Sequence, residues 1–261
     1  MSKDITAILT EWDFEPDDIH VRIVPGDDGR DKVQLRVELG LLQMEIDGRP
    51  DGARPEQFES WLEYYEEMQR IHDSAHAGET RFTLEEQDCV RLWREGVQYY
   101  HRYLSFWHLA SYALCARDTA RNLRLFAFVR AHASQDRYKL QFDQWRPYVT
   151  MMHARASATP LLAEHKFAEA LRLIESGIDG IRDFLEEYQQ SHRAAECNEL
   201  TDLERWRDET LVQQAHAEGP HGENAIQALR RRLEEAVKRE EFEKAAQLRD
   251  EIRRWEGGQS T

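Results

Sequence analysis

The chain has 261 residues, 41% of them hydrophobic and 33% charged, which suits one large domain or two small ones with a real core. No apolar run approaches the roughly 18 residues of a membrane span, and Met1 to Asp18 hold no hydrophobic segment followed by a small-residue cleavage site. A cytoplasmic location is expected, and a net charge of −15 argues against electrostatic steering of the whole molecule to nucleic acid.

The first segment alternates with period two. Val21 and Ile23, then Val33, Leu35, Val37 and Leu39, then Leu42, Met44 and Ile46 fall every second residue, which predicts a small antiparallel sheet at about 19–47. Pro25 to Gly29 is turn chemistry, and Gly40 is expected to form a bulge or bend. From Arg54 the pattern is helical. Phe58, Trp61, Leu62, Tyr65, Met68 and Ile71 form one stripe. Thr83 and Glu86 form a capping box for a long helix past Trp93 and Tyr100. Further helices are predicted at about 104–116, 118–133, 137–163, 167–189 and 194–216, with Pro147 and Pro160 kinking or breaking the 137–163 segment. The fold class is therefore mainly α, with a small N-terminal antiparallel sheet and a helical-hairpin stack or bundle. Segments 114–126 and 162–174 form a weak repeat, each read as straddling a helix–turn–helix corner. Within 140–189, Phe167, Ala170, Ile174 and Gly177 fall where a tetratricopeptide repeat has its aromatic, Ala, aromatic and small positions. The segment resembles one such repeat, and an irregular bundle accounts for it equally well.

Charge is unevenly spread, with −14 over residues 1–90 and +7 over 91–155. Arg117, Arg121, Arg124, Arg130, Arg137, Lys139 and Arg146 interleave with aromatics there. Two readings follow. One is a nucleic-acid surface over 91–155 that tracks phosphates and stacks bases. The other is internal pairing of these cations with the acidic N-terminal third. Cys89, Cys115 and Cys197 are isolated, which predicts reduced thiols rather than a zinc ribbon. His72 and His76 stand four apart without a third ligand in view, so surface histidines are the simpler reading than a metal site. His101 and His108, among aromatics, read as core or packing-edge histidines. Phosphate-loop, dinucleotide, nucleophile-elbow and HExxH signatures are absent, so neither an enzyme nor a cofactor is expected.

His216 to Glu223 reads as a linker, with Pro220 between Gly219 and Gly222. After it come two short amphipathic helices, the first with Asn224 as its cap. Ile226, Leu229, Leu233 and Val237 form one stripe, Lys238 to Glu241 a charged turn, and Phe242, Ala245, Ala246, Leu248, Ile252 and Trp255 a second stripe. The order Phe-Glu-x-Ala-Ala-x-Leu-Arg-Asp from Phe242 to Asp250 closely resembles the UVR motif, the helical hairpin of UvrB, UvrC and some Clp-protease regulators. The regulators' paired CxxC motifs are missing here.

The resemblance implies a docking device with no chemistry of its own. Its interface would be Leu229, Leu233, Val237, Phe242, Ala245, Ala246, Leu248 and Ile252, with Arg249 and Asp250 orienting the partner. The implied partner is a protein with a UVR-like hairpin, or a second copy of this one, and the implied setting is excision repair or Clp-type proteolysis. The expected organisation is a β-rich segment at 1–53 packed on a helical body at 54–215, a linker at 216–223 that frees the hairpin, and the hairpin at 224–256. An ordinary hairpin packed in cis is the alternative.

Overall fold

The computed structural model describes residues 4–76, 80–218 and 223–258. After a short helix α1 (Thr6–Thr10), the period-two segment forms the expected antiparallel sheet, β1 (Val21–Pro25), β2 (Asp31–Val37) and β3 (Gly40–Glu45), in that spatial order. Val33 lies opposite Ile23 and Met44, and Leu35 lies opposite Val21 and Leu42. Alternation sends Val33, Leu35 and Met44 into a core shared with the helices that follow. Gly40 is not a bulge: it pairs with Val37 and opens β3 after a two-residue turn.

The helices are α2 (Trp61–His76), α3 (Glu86–His108), α4 (Tyr112–His132), α5 (Asp136–Asp143), α6 (Arg146–Ala163), α7 (Phe167–Glu187), α8 (Asn198–Glu218), α9 (Glu223–Lys238) and α10 (Phe242–Gly258). They belong to two compact units, residues 1–156 and 157–261. That division lies inside the helical body expected at 54–215 and joins the C-terminal hairpin to α7 and α8. It falls within α6, which continues through Pro160. Ala156 is the residue whose carbonyl Pro160, lacking an N–H, leaves without its helical donor.

Several cations of the basic segment form buried pairs within the first unit, and others form exposed ones. Arg102 and Asp118, each 1% exposed, form a two-point pair at 2.6 and 3.0 Å. Arg102 also donates to the carbonyls of Glu45 and Gly48, tying α3 to the end of the sheet. Glu95 is fully buried on α3. Its carboxylate accepts the N–H groups of Trp61 and Leu62 at 2.8 and 3.2 Å, capping α2 from another helix. Arg49 and Arg121 neutralise it. Arg117 reaches Asp47, and Arg124 reaches Glu63 and Glu66. Arg130 and Arg146 hold the buried Asp143. The expected pairing with the acidic N-terminal third holds for Arg117 and Arg124, whereas Arg102, Arg121, Arg130 and Arg146 pair with Asp118, Glu95 and Asp143 of the basic segment itself.

Several helix limits differ from expectation. The α2 helix begins at Trp61, where Glu95 supplies the cap, and Phe58 lies outside it. The capping box of α3 is Glu85 with Asp88, because Leu84 is engaged in a bridge to Ala133. The 104–116 helix does not exist as such: α3 ends and Ala110 adopts φ +52°. Ser111 N–H then bonds Phe106 O and Ala110 N–H bonds Trp107 O, a Schellman stop without glycine. His165, Gln189 and Glu240 end α6, α7 and α9 with the same bonding pattern and positive φ. Pro147 lies in the first turn of α6 and the break precedes it. Segment 114–126 lies wholly inside α4, so only the second copy of the repeat straddles a corner. Phe167, Ala170, Ile174 and Gly177 do line the buried face of α7.

Removing Asp118 would leave Arg102 as an uncompensated buried cation. Asp118→Ala should cost about 3–5 kcal/mol, whereas Asp136→Ala, which removes an exposed partner of Lys139, should cost about 1 kcal/mol or less. Denaturant midpoints of the two variants check the contrast.

Candidate protein-docking site

The C-terminal hairpin forms where expected. Lys238 to Glu241 are exposed at its turn, and Glu240 takes the left-handed conformation that closes it. The side chains of Asn224 and Trp255, and residues 219–222 of the expected linker, lie outside the described residues. His216 to Glu218 are the last turn of α8, and Glu223 opens α9.

Two helices of this length expose most of their surface and cannot close a core alone. The missing surface is supplied in cis. Ile226, Leu229, Ala236, Ala245, Leu248 and Ile252 are buried in one cluster with Leu211 and Ala215 of α8, and Leu171 of α7 and Val212 of α8 pack on its edge. The cis alternative is therefore the observed one, and the expectation of a free hairpin is corrected. A fully buried Leu or Ile contributes about 1.5–3 kcal/mol, so the unpaired stripe would be costly in water.

Ion pairs frame this contact. Arg232 on α9 donates to Asp208 at 2.7 Å and to Glu175 at 2.5 Å. Lys244 on α10 donates to Glu204 at 2.6 Å, and Arg182 donates to the same carboxylate. Burial opposes ionisation of Glu204, but the hydrogen bonds and charges of Lys244 and Arg182 outweigh it and hold its pKa below the ordinary value. Burial also lowers the Arg232 guanidinium below its ordinary value, helped by neighbouring Arg207. Burial also raises Glu251, with Asp208 adding repulsion.

The ten residues assigned to docking thus divide. Leu229, Ala245, Leu248 and Ile252 are buried against the cis cluster. Leu233 and Ala246 are half-buried. Val237 and Phe242 are 53% and 69% exposed and flank the turn. Arg249 and Asp250 are exposed and touch each other at 3.3 Å. Phe242 also lines an open cleft of about 550 Å³ with Arg182, Arg205, Arg239, Glu241 and Glu243. Sequence reasoning missed Arg232 and Lys244. Arg232 sits three residues after Leu229 and beside Leu233, and a cation bordering an apolar stripe is the signal that could have marked it.

A family model described as UvrB/uvrC motif (UVR) matches residues 223–256. The chain carries a UVR motif. No curated protein and no solved structure matches the chain.

The other candidate groups are engaged or enclosed. His72 and His76 stack at 4.2 Å, and His76 Nδ1 faces the His72 carbonyl. Among the described residues, the His/Cys/Asp/Glu group with ligand-like spacing is Glu15, Asp18 and His20, not this pair. Burial pushes the Cys89 thiol up to about 11 and the Cys115 thiol up to about 12, which suppresses the reactive thiolate. In the first unit, Trp93, Tyr100, Tyr103, Phe126, Trp145 and Tyr148 wall a pocket of about 280 Å³. Its buried polar group, Asn122, spends its amide on the Gly96 carbonyl, and burial holds His101 below its usual pKa. No helix among the described residues is long and apolar enough to cross a membrane.

Leu229→Ala should destabilise the docked hairpin by about 2–5 kcal/mol, and Phe242→Ala should stay within about 0.5 kcal/mol. Hydrogen exchange of the α9 and α10 amides reads both. The pH dependence has a definite sign. A lowered Glu204 pKa gives stability that is present above the ordinary glutamate value of about 4.3 and is lost as pH falls through the folded-state value. The exchange-protection gap between the unsubstituted chain and Glu204→Gln should therefore be open at neutral pH and close on acidification.

Proposed function

We propose that this chain is a non-enzymatic protein-interaction protein that uses its UVR hairpin to dock a partner. The observation that carries the reading is the UVR match over 223–256 combined with two large apolar side chains, Val237 and Phe242, left exposed at the hairpin turn. The buried stripe builds the hairpin's cis contact, and the tip is the apolar surface that remains open to another molecule. An aromatic anchor beside an open cleft is the kind of feature that dominates binding energy. The partner we propose carries a UVR-like hairpin, as in UvrB or UvrC, or belongs to a Clp-type machine. On this reading the chain is an accessory factor of excision repair or Clp-type proteolysis.

The absence of chemistry in this reading is supported by the fate of the buried carboxylates. Glu95, Asp118 and Asp143 are each neutralised by arginine, and none lies free in a pocket as a general acid or base would. The nucleic-acid reading of 91–155 draws no support from the geometry, since Arg117, Arg121 and Arg124 are bonded to carboxylates.

Titration of the full-length chain against purified UvrB, UvrC and a Clp-type ATPase tests the proposal. Binding to at least one is expected, and Phe242→Asp should weaken it by more than tenfold, the scale of a hot-spot loss of about 2 kcal/mol. Phe242 is exposed, so the substitution leaves the fold in place. Equal binding by the variant, or no binding to any of the three, would sink the reading.

A further inference from the structure

We propose that the aromatic pocket of the first unit is a binding site for an uncharged, planar bicyclic molecule that carries one hydrogen-bond acceptor. The pocket encloses about 280 Å³ between α3, α4 and α6. A dry apolar cavity of roughly 150 Å³ takes benzene, so this one has room for a second fused ring. Tyr103, Phe126 and Val149 form its floor, at 1%, 5% and 1% exposure. Tyr100 and Trp145, at 37% and 47%, form an open rim through which a ligand can enter. Close-packed interiors leave few voids larger than a water molecule, and an apolar cleft with a few polar groups is the usual form of a small-molecule site.

The lining selects the chemistry. Among the described residues, no side chain that lines the pocket is an acid, a lysine or an arginine, and burial holds His101 below its usual pKa. A charged ligand would lose its hydration there without gaining a counter-ion. Asn122 is engaged at both ends of its amide, donating to the Gly96 carbonyl at 3.0 Å and accepting from Arg121 at 3.2 Å. Tyr103 is the polar handle. A buried phenol usually has a hydrogen-bond partner, and the Tyr103 hydroxyl has none among the described residues. Burial pushes that phenol above its ordinary pKa, with Tyr148 and Tyr100 adding repulsion, so it stays protonated and can donate. The pocket shares no residue with the hairpin contact or with the Phe242 cleft, so this assignment and the docking reading fail separately.

Titration of the full chain with quinoline tests the proposal. Quinoline is uncharged at neutral pH, and its ring nitrogen accepts a hydrogen bond. Calorimetry should show saturable binding with a Kd below about 1 mM. The indole N–H resonances of Trp93 and Trp145 should shift, while that of Trp206 on α8 should not. N-methylquinolinium has the same shape with a fixed positive charge and no acceptor, and should bind at least about tenfold more weakly. Tyr103→Phe keeps the ring and removes the hydroxyl, and should weaken quinoline by about fivefold, the scale of one neutral hydrogen bond. Val97→Phe fills the pocket from α3 and should abolish binding, with cooperative thermal unfolding as the check that the variant is folded. No saturable binding, equal or tighter binding of N-methylquinolinium, or undiminished affinity in either folded variant would overturn the proposal. Dimerisation of the free chain that quinoline reverses would also overturn it, by giving the pocket to a side chain of a second copy.

Discussion

A helical hairpin of about thirty residues cannot bury its own apolar stripe, and the second unit of this protein is organised around that constraint. The helices α7 and α8 form a platform, and α9 and α10 lay Ile226, Leu229, Leu248 and Ile252 onto it. The small residues Ala215, Ala236 and Ala245 let the helices approach closely. The ion pairs of Arg232 and Lys244 lie at the border of this contact. Their partners are partly buried carboxylates, where a charged hydrogen bond is stronger than on an open surface. Apolar burial supplies most of the attraction, and the charges fix its orientation.

The first unit solves a different problem with similar means. Its aromatic core needs α3 and α4 side by side, and these helices carry many of the chain's arginines. Burying a cation is tolerable only with a partner, so the buried Arg102 and Arg121 are met by Asp118 and Glu95, and the more exposed Arg117 and Arg124 add pairs to Asp47, Glu63 and Glu66. Arg102 with Asp118 and Arg121 with Glu95 then fasten α3 to α4, and the Arg102 bonds to the Glu45 and Gly48 carbonyls reach the sheet end. The basic middle pairs partly with the acidic N-terminal third, through Arg117 and Arg124, and partly with its own carboxylates Glu95, Asp118 and Asp143.

Docking in cis changes what a UVR motif means in this chain. A motif whose apolar face is occupied presents its tip, and the whole stripe becomes available only when the hairpin leaves the platform. Any partner that reads the full stripe must bind the open form more tightly than the closed one, and the observed affinity falls with the open fraction. The same contact that completes the fold therefore sets the threshold for recognition of the stripe.

The chain by itself determined the elements. Alternation in the sequence specified the three strands, although the central strand is buried on both faces from Lys32 to Leu35. The steps of three and four specified α9 and α10 and made the motif legible down to Phe242 and Asp250. The limits of the other helices were not legible, because Ala110, His165 and Gln189 close them in left-handed conformations that carry no glycine signal, and Glu95 caps α2 from 33 to 34 residues away. Only the tertiary structure decided that four of the ten proposed docking residues are buried at home and that Val237 and Phe242 are not. An amphipathic stripe states that a surface will be covered. Which surface covers it depends on the shape and charge of α7 and α8, and local periodicity holds no record of either.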